Sequence, residues 1–259
     1  MTNGVSPIES TAGAQRRARV LARLREVGVL SVADLARELG VSHMTVRRDL
    51  HRLETTGQVR TVHGGVGLAV GGPDPVANGN GVRRVARRAV ALAGTGDAVA
   101  LDAGPTAYEL ARILPDDFTG SVITHSLPVM QLLAERATGP AGPRLVVLGG
   151  ELVGSRQALV GPTTLDAIAG LRARTFFLDA AAVDVRGCYA CSTGEVRVAR
   201  GLAEIADEVV LLAPASAFAD SAPALVGPLE RLTAVVTDVP PPPAVTTALD
   251  RAGVALYVG

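Results

Sequence analysis

The sequence predicts an α/β protein in two parts: a small helical unit with a β wing, then a larger Rossmann-like domain on a mainly parallel sheet. Three observations carry this. Before residue 66, apolar residues recur at helical spacing in three short segments, closed by glycines at 28, 40 and 57. Beyond residue 81, short apolar runs alternate with helical segments, the pattern of parallel strands covered on both faces. Charge divides at the same place. Residues 1–66 hold ten Arg against six acidic residues, a net of +4, and residues 67–259 hold fifteen Arg against nineteen, a net of −4. A basic first part on an acidic second part assigns any polyanionic partner to the first.

Composition removes several classes of function. At 259 residues the chain has room for one small core and one larger one. No run approaches the roughly 18–20 apolar residues of a membrane helix, and the N-terminus lacks the basic-then-apolar order of a secretory signal, so a cytoplasmic protein is expected. Every basic residue is Arg, which excludes Schiff-base chemistry and lysine general bases. Cys188 and Cys191 are the whole cysteine complement; a single C-x-x-C supplies half of a zinc site at most, so no metal and no cofactor is expected.

Residues 1–14 read as a polar tail, 15–70 as the small unit, 71–81 as a linker rich in Gly with Pro73 and Pro75, and 82–259 as the larger domain. The first helix is predicted over Gln15–Val27, with Val20, Leu21, Leu24 and Val27 on one face. Ser31 caps a second helix over Val32–Leu39, with Asp34 reaching back to it, and Gly40 stops that helix in the left-handed conformation. Ser42 caps a third, through about Thr55, whose inward stripe is Val46, Leu50 and Leu53. Two strands, Gln58–Val62 and Val66–Val70, follow around a turn at His63, Gly64 and Gly65.

Two short helices joined through Gly40 and Val41, then a β hairpin, make a winged helix-turn-helix, in which the second helix of the pair enters the major groove of double-stranded DNA. Off the apolar stripe of the third helix lie Ser42, His43, Thr45, Arg47, Arg48 and His51, and the wing adds Arg60 and His63. Arg47 or Arg48 suits bidentate contact to a guanine edge, and short polar residues at a helix start leave backbone N–H groups near a phosphate. Paired half-sites imply at least a homodimer. The run V-S-x-x-T-V-R-R-D-L-x-x-L-E followed by G-x-V-R-x-x-H-G-G resembles the N-terminal domain of the DeoR family of repressors. That resemblance assigns Ser42, Thr45, Arg47 and Arg48 to the recognition helix and Arg60 and His63 to the wing, and makes Asp49 a structural partner of a neighbouring Arg.

In the larger domain, strands are expected at Ala98–Asp102, Ser121–Thr124, Arg144–Leu148, Thr175–Ala181, Glu208–Ala213, Ala234–Asp238 and Val254–Val258. Helices are expected at Val82–Leu92, Thr106–Leu114, Leu127–Ala137, Thr163–Leu171, Val196–Ala206 and Ala244–Ala252. Strand ends in an open parallel sheet form the usual binding crevice. The first ends in L-D-A-G-P-T, where Asp102, Gly104 and Thr106 suit an anion cradle; the second ends in Thr124-His125-Ser126; the third ends in Gly149 and Gly150, where a ligand approaches backbone.

Residues 82–259 also resemble the DeoR family, whose effector-sensing domain shares the fold of ribose-phosphate isomerases and glucosamine-phosphate deaminases. Asp102, Thr106, Thr124, Gly149, Gly150, Gly161 and Glu195 match its pattern. The resemblance implies a repressor of sugar or related carbon metabolism genes responding to a small phosphorylated metabolite, bound without turnover. The chain departs from the pattern at Pro105, where the family has Ser or Thr, and at Phe177–Asp184, where F-I-G-x-D-G-I-D becomes F-L-D-A-A-A-V-D and Asp179 is a substitute acid. It departs again at Pro214–Phe218, where the D-S-S-K-F acid and Lys are gone, and at Ala199, where a Lys is expected. Either Arg156, Arg186 or Arg197 supplies the missing charge, or the ligand differs, or the domain mainly oligomerises. A ligand-independent regulator and a sugar-phosphate isomerase are the alternatives; the lost acid and Lys weigh against the enzyme, because isomerisation needs a positioned base.

Overall fold

The computed structural model describes residues 11–27, 29–55, 59–62, 65–68, 79–139, 142–153 and 156–259, and they group into two compact units, one within residues 1–75 and one within 76–259. In the first unit the order is α1 (Thr11–Val27), β1 (Val29–Leu30), α2 (Val32–Leu39), α3 (His43–Thr55), β2 (Val59–Val62) and β3 (Gly65–Leu68). Helix α1 starts at Thr11, four residues before the expected Gln15, and takes in the buried Gly13 despite that residue's poor helix propensity. Val20, Leu24, Leu35, Ala36, Val46, Leu50, Leu53, Val59 and Val66 form one buried core. The three-stranded sheet runs β1-β3-β2, antiparallel, with Val62 opposite Gly65.

The second unit runs α4 (Gly79–Ala89), β4 (Ala98–Leu101), α5 (Pro105–Arg112), β5 (Ser121–Thr124), α6 (Leu127–Ala137), β6 (Arg144–Val147), β7 (Glu151–Val153), β8 (Ala158–Val160), α7 (Pro162–Ile168) and β9 (Ala173–Leu178). It continues with β10 (Ala182–Asp184), β11 (Gly187–Ala190), α8 (Thr193–Glu204), β12 (Ala206–Leu212), β13 (Ala224–Gly227), β14 (Ala234–Thr237), α9 (Pro243–Ala252) and β15 (Ala255–Val258). Seven strands in the order β15-β14-β12-β9-β4-β5-β6 make a wholly parallel sheet. Side chains alternate across it. Phe176 and Phe177, adjacent and both fully buried, therefore anchor different cores: Phe176 packs with Ile168, Leu202 and Leu249, Phe177 with Leu110, Leu133 and Val85.

Two differences from the sequence reading have local causes. Residues 79–81 were expected in the linker but open α4; Gly81 is buried, and a Cβ there would lie 2.8 Å from Asp238 Oδ2, so its glycine serves close packing. The hairpin β7–β8 and the antiparallel sheet β10-β11-β13 were not anticipated. Their strands are three or four residues long, too short for alternation to register.

Candidate DNA interface and strand-end crevice

Helix α2 begins as its sequence dictates. Ser31 Oγ accepts from Asp34 N at 3.1 Å and donates to Asp34 Oδ2 at 2.7 Å, and this hydroxyl holds the Asp34 carboxyl below its ordinary value. Gly40 closes it at φ 66°, a left-handed conformation that glycine adopts freely, and the backbone turns directly into α3. Ser42 Oγ accepts from Thr45 N at 3.2 Å and lies 2.9 Å from Thr45 Oγ1. The hydroxyls of Ser42 and Thr45 thus cap the helix start.

Val46, Asp49, Leu50 and Leu53 face inward, while His43, Met44, Arg47, Arg48 and His51 are exposed. At about 100° per residue, Met44, Arg47, Arg48 and His51 share one outward arc. Asp49 is only 3 % exposed and is held by Arg16 and Arg17 of α1, so it pins α1 to α3. Met44, 66 % exposed on the same arc, was not singled out from sequence. Its position off the Val46–Leu50–Leu53 stripe was the available signal. Arg60 sits on β2 in register with Gly67; His63 lies outside the described residues.

In the second unit, β9, β4, β5 and β6 are neighbours, which brings Asp179, Asp102, His125 and the Gly149-Gly150 pair to one edge of the sheet. Asp102 is buried and central. Its Oδ1 accepts from Ala103 N and lies 2.8 Å from His125 Nε2, and its Oδ2 accepts from Asp179 N. His125 is fully buried, and its Nδ1 lies 3.1 Å from Leu159 O. A carbonyl only accepts, so Nδ1 carries the hydrogen of that contact. Thr124 donates to Leu101 O and accepts from Ser126 N. Glu195, three residues after the Ser192 cap of α8, reaches back to accept from Cys191 N at 3.2 Å.

Asp179 takes the start of α5. Its Oδ2 accepts from Thr106 N at 2.7 Å and Ala107 N at 2.9 Å, and a Cβ on Gly104 would lie 2.3 Å from its carboxyl carbon. Burial pushes the Asp179 carboxyl up, against the pull of Arg156 and the two amides. Arg156, with a side chain 12 % exposed, donates from Nη1 to Ala103 O at 3.0 Å and Asp179 O at 2.7 Å. Burial opposes its charge, but Asp179 and Asp102 outweigh that and hold its pKa up. Of the three arginines considered from sequence, only Arg156 lies here: Arg186 pairs with Asp184, and Arg197 is exposed on α8.

Gly149 and Gly150 are exposed, with Thr164 Oγ1 donating to Gly149 O; Gly150 adopts φ 138° and Gly161, the cap of α7, φ 107°. Burial raises the Cys188 thiol to about 11 and raises Cys191 as well, which leaves little thiolate at neutral pH. Among the described residues no group of His, Cys, Asp and Glu is placed to hold a metal ion, and no helix is long and apolar enough to cross a membrane.

A winged helix-turn-helix whose second helix carries an exposed basic face, in one chain with a parallel α/β domain, is the architecture of a two-domain DNA-binding transcriptional regulator. The family model for the DeoR-like helix-turn-helix domain matches residues 16–70, and that for the DeoR C terminal sensor domain matches residues 78–239. The chain belongs to the DeoR family. It is 31 % identical over 235 residues to the transcriptional repressor AccR of Agrobacterium fabrum, covering 86 % of this chain and 88 % of that one. It is 32 % identical over 233 residues to the transcriptional regulator GlpR of Haloferax volcanii, covering 87 % and 89 %. To the glycerol-3-phosphate regulon repressor of Escherichia coli it is 28 % identical over 242 residues, covering 91 % and 94 %.

Proposed function

We propose that this chain represses genes of sugar or related carbon metabolism by binding their operators as a homodimer or higher homo-oligomer in the cytoplasm. Its DNA affinity responds to a small phosphorylated metabolite held at the strand ends. The observation that carries this reading is the outward arc of α3, where Arg47 and Arg48 flank the exposed Met44 and His51 on a helix whose other side is core. Ser42, His43 and Thr45 present the helix start to a phosphate, and Arg60 and His63 on the wing complete the contact set.

Met44 supplies an apolar surface suited to a thymine methyl. Met44→Ala is expected to leave overall affinity for nonspecific DNA unchanged and to lower discrimination at one base pair, by roughly 1 kcal/mol. Binding-site selection with randomised operators checks this; an unchanged preference at every position removes Met44 from the base-reading set.

Support for a phosphorylated metabolite comes from the buried Arg156 at the strand ends, from exposed backbone at Gly149 and Gly150, and from the regulon named for one relative. Ligand binding without turnover fits the geometry. Asp102 and His125 are spent on each other and Glu195 on the cap of α8, which leaves none of the three placed as a free general base. Genomic footprinting identifies the operators and so nominates the metabolite. At 100 times its Kd that metabolite is expected to add about 2.7 kcal/mol of stability. Absence of any shift with millimolar phosphorylated metabolites favours ligand-independent regulation, and measurable isomerisation of a sugar phosphate restores the enzyme.

A further inference from the structure

We propose that Asp179 is a built-in occupant of an anion seat at the start of α5, and that a ligand phosphate enters this seat only by displacing the Asp179 carboxylate. Helix α5 begins without a side-chain cap, at Gly104, and its first residue, Pro105, has no N–H to offer. The next two amides, of Thr106 and Ala107, both point to a single oxygen, Asp179 Oδ2. A helix start with converging N–H groups favours an anion through both its donors and its dipole. Here the protein's own carboxylate is that anion.

The donors around Asp179 outnumber what it satisfies. Thr106 is fully buried, and its Oγ1 has no hydrogen-bond partner in the structure. Arg156 Nε is likewise buried without a partner, while Arg156 Nη1 stands 3.9 Å from Asp179 Oδ1, beyond hydrogen-bond reach. Of two amides, a hydroxyl and a guanidinium, the Asp179 carboxylate engages only the amides, through one oxygen, while Arg156 Nη1 turns to the carbonyls of Ala103 and Asp179. Together these donors match the three terminal oxygens of a phosphate monoester, which accept strongly from arginine and backbone amides. Asp102 is the negative neighbour that an entering phosphate meets, and its hydrogen bond to His125 offsets part of that charge. Gly104 completes the seat, since any Cβ there would collide with the Asp179 side chain.

Only the identity of the displacing ligand rests on the sensing role proposed above; the seat itself is tested with inorganic phosphate. Full-length wild type, Asp179→Gly and Asp179→Ser are titrated calorimetrically with phosphate at constant ionic strength, with operator binding in phosphate-free buffer as the measure of an intact fold. Both variants are expected to bind phosphate about tenfold or more tighter than wild type, and adding Arg156→Gln to either is expected to cancel the gain. The proposal is overturned if folded variants show no gain, or if wild type binds phosphate as tightly as they do. If neither variant folds, the wild type decides: a phosphate Kd well below roughly 1 mM shows the seat already open and overturns the proposal, and a weaker one is the expected result. A gain in phosphate affinity without any effect of phosphorylated metabolites on operator binding leaves the seat standing and removes the sensing role.

Discussion

Arg47→Ala and Arg48→Ala are each expected to weaken operator binding by roughly 1–3 kcal/mol, about five- to 150-fold, with no change in melting temperature. Both side chains are exposed on α3, so the folded unit loses no packing when either is cut back, and such surface changes usually stay within about 0.5 kcal/mol of neutral. The contrast lies with Arg16 and Arg17. They hold the buried Asp49 from α1, and their removal is expected to lower the melting temperature of the first unit before it touches DNA affinity. Salt dependence separates the two DNA roles. A residue on a phosphate weakens binding to all sequences and lowers the salt slope by about one; a residue on a guanine edge relaxes preference at one position and leaves the slope alone. Operator binding unchanged in both variants at moderate salt would remove α3 as the reading helix.

Much of this was legible in the sequence because it depends on backbone chemistry and apolar period. The seven strands of the parallel sheet sit where apolar runs placed them, within one to three residues at each end. The Ser31 and Ser42 caps and the Gly40 stop follow from side-chain oxygen reach and glycine's left-handed freedom, both local properties. What was hidden depends on partners distant in sequence. D-x-G-x-T at Asp102–Thr106 has the form of an open anion cradle, yet whether it is empty depends on Asp179, just past the end of the neighbouring strand β9 and far along the chain. Glu195 matched a family pattern for a ligand residue, and its carboxylate meets Cys191 N four residues earlier, an N-terminal capping role that Ser192-x-x-Glu195 itself spells. Gly79 and Gly81 looked like linker residues by composition. Gly81 instead gives Asp238 room against α4, which no local pattern records.

His125 carries the sharpest test of that distinction, because its place at a strand end admits either a ligand contact or a structural role. Its ring is fully buried, with Nδ1 on Leu159 O and Nε2 on Asp102 Oδ1, so both nitrogens are committed inside the protein. His125→Leu keeps bulk but strips Asp102 of its Nε2 partner and Leu159 O of a donor. Leaving a buried polar group without its partner costs about 1–3 kcal/mol each. For a unit of this size the two together correspond to a fall of very roughly 4–24 °C in melting temperature. Pairing it with Asp102→Leu is expected to cost less than the sum of the two single changes, because the ring and the carboxylate then leave together. The double variant still pays for the amides of Ala103 and Asp179, which lose their acceptor. If His125 is structural, the variant that remains folded at low temperature keeps its stabilisation by a bound phosphorylated metabolite, measured as the shift between free and saturated protein. The reverse outcome, an unchanged melting temperature with the ligand shift lost, would make the imidazole a ligand contact and require the Asp102–His125 pair to open when ligand binds.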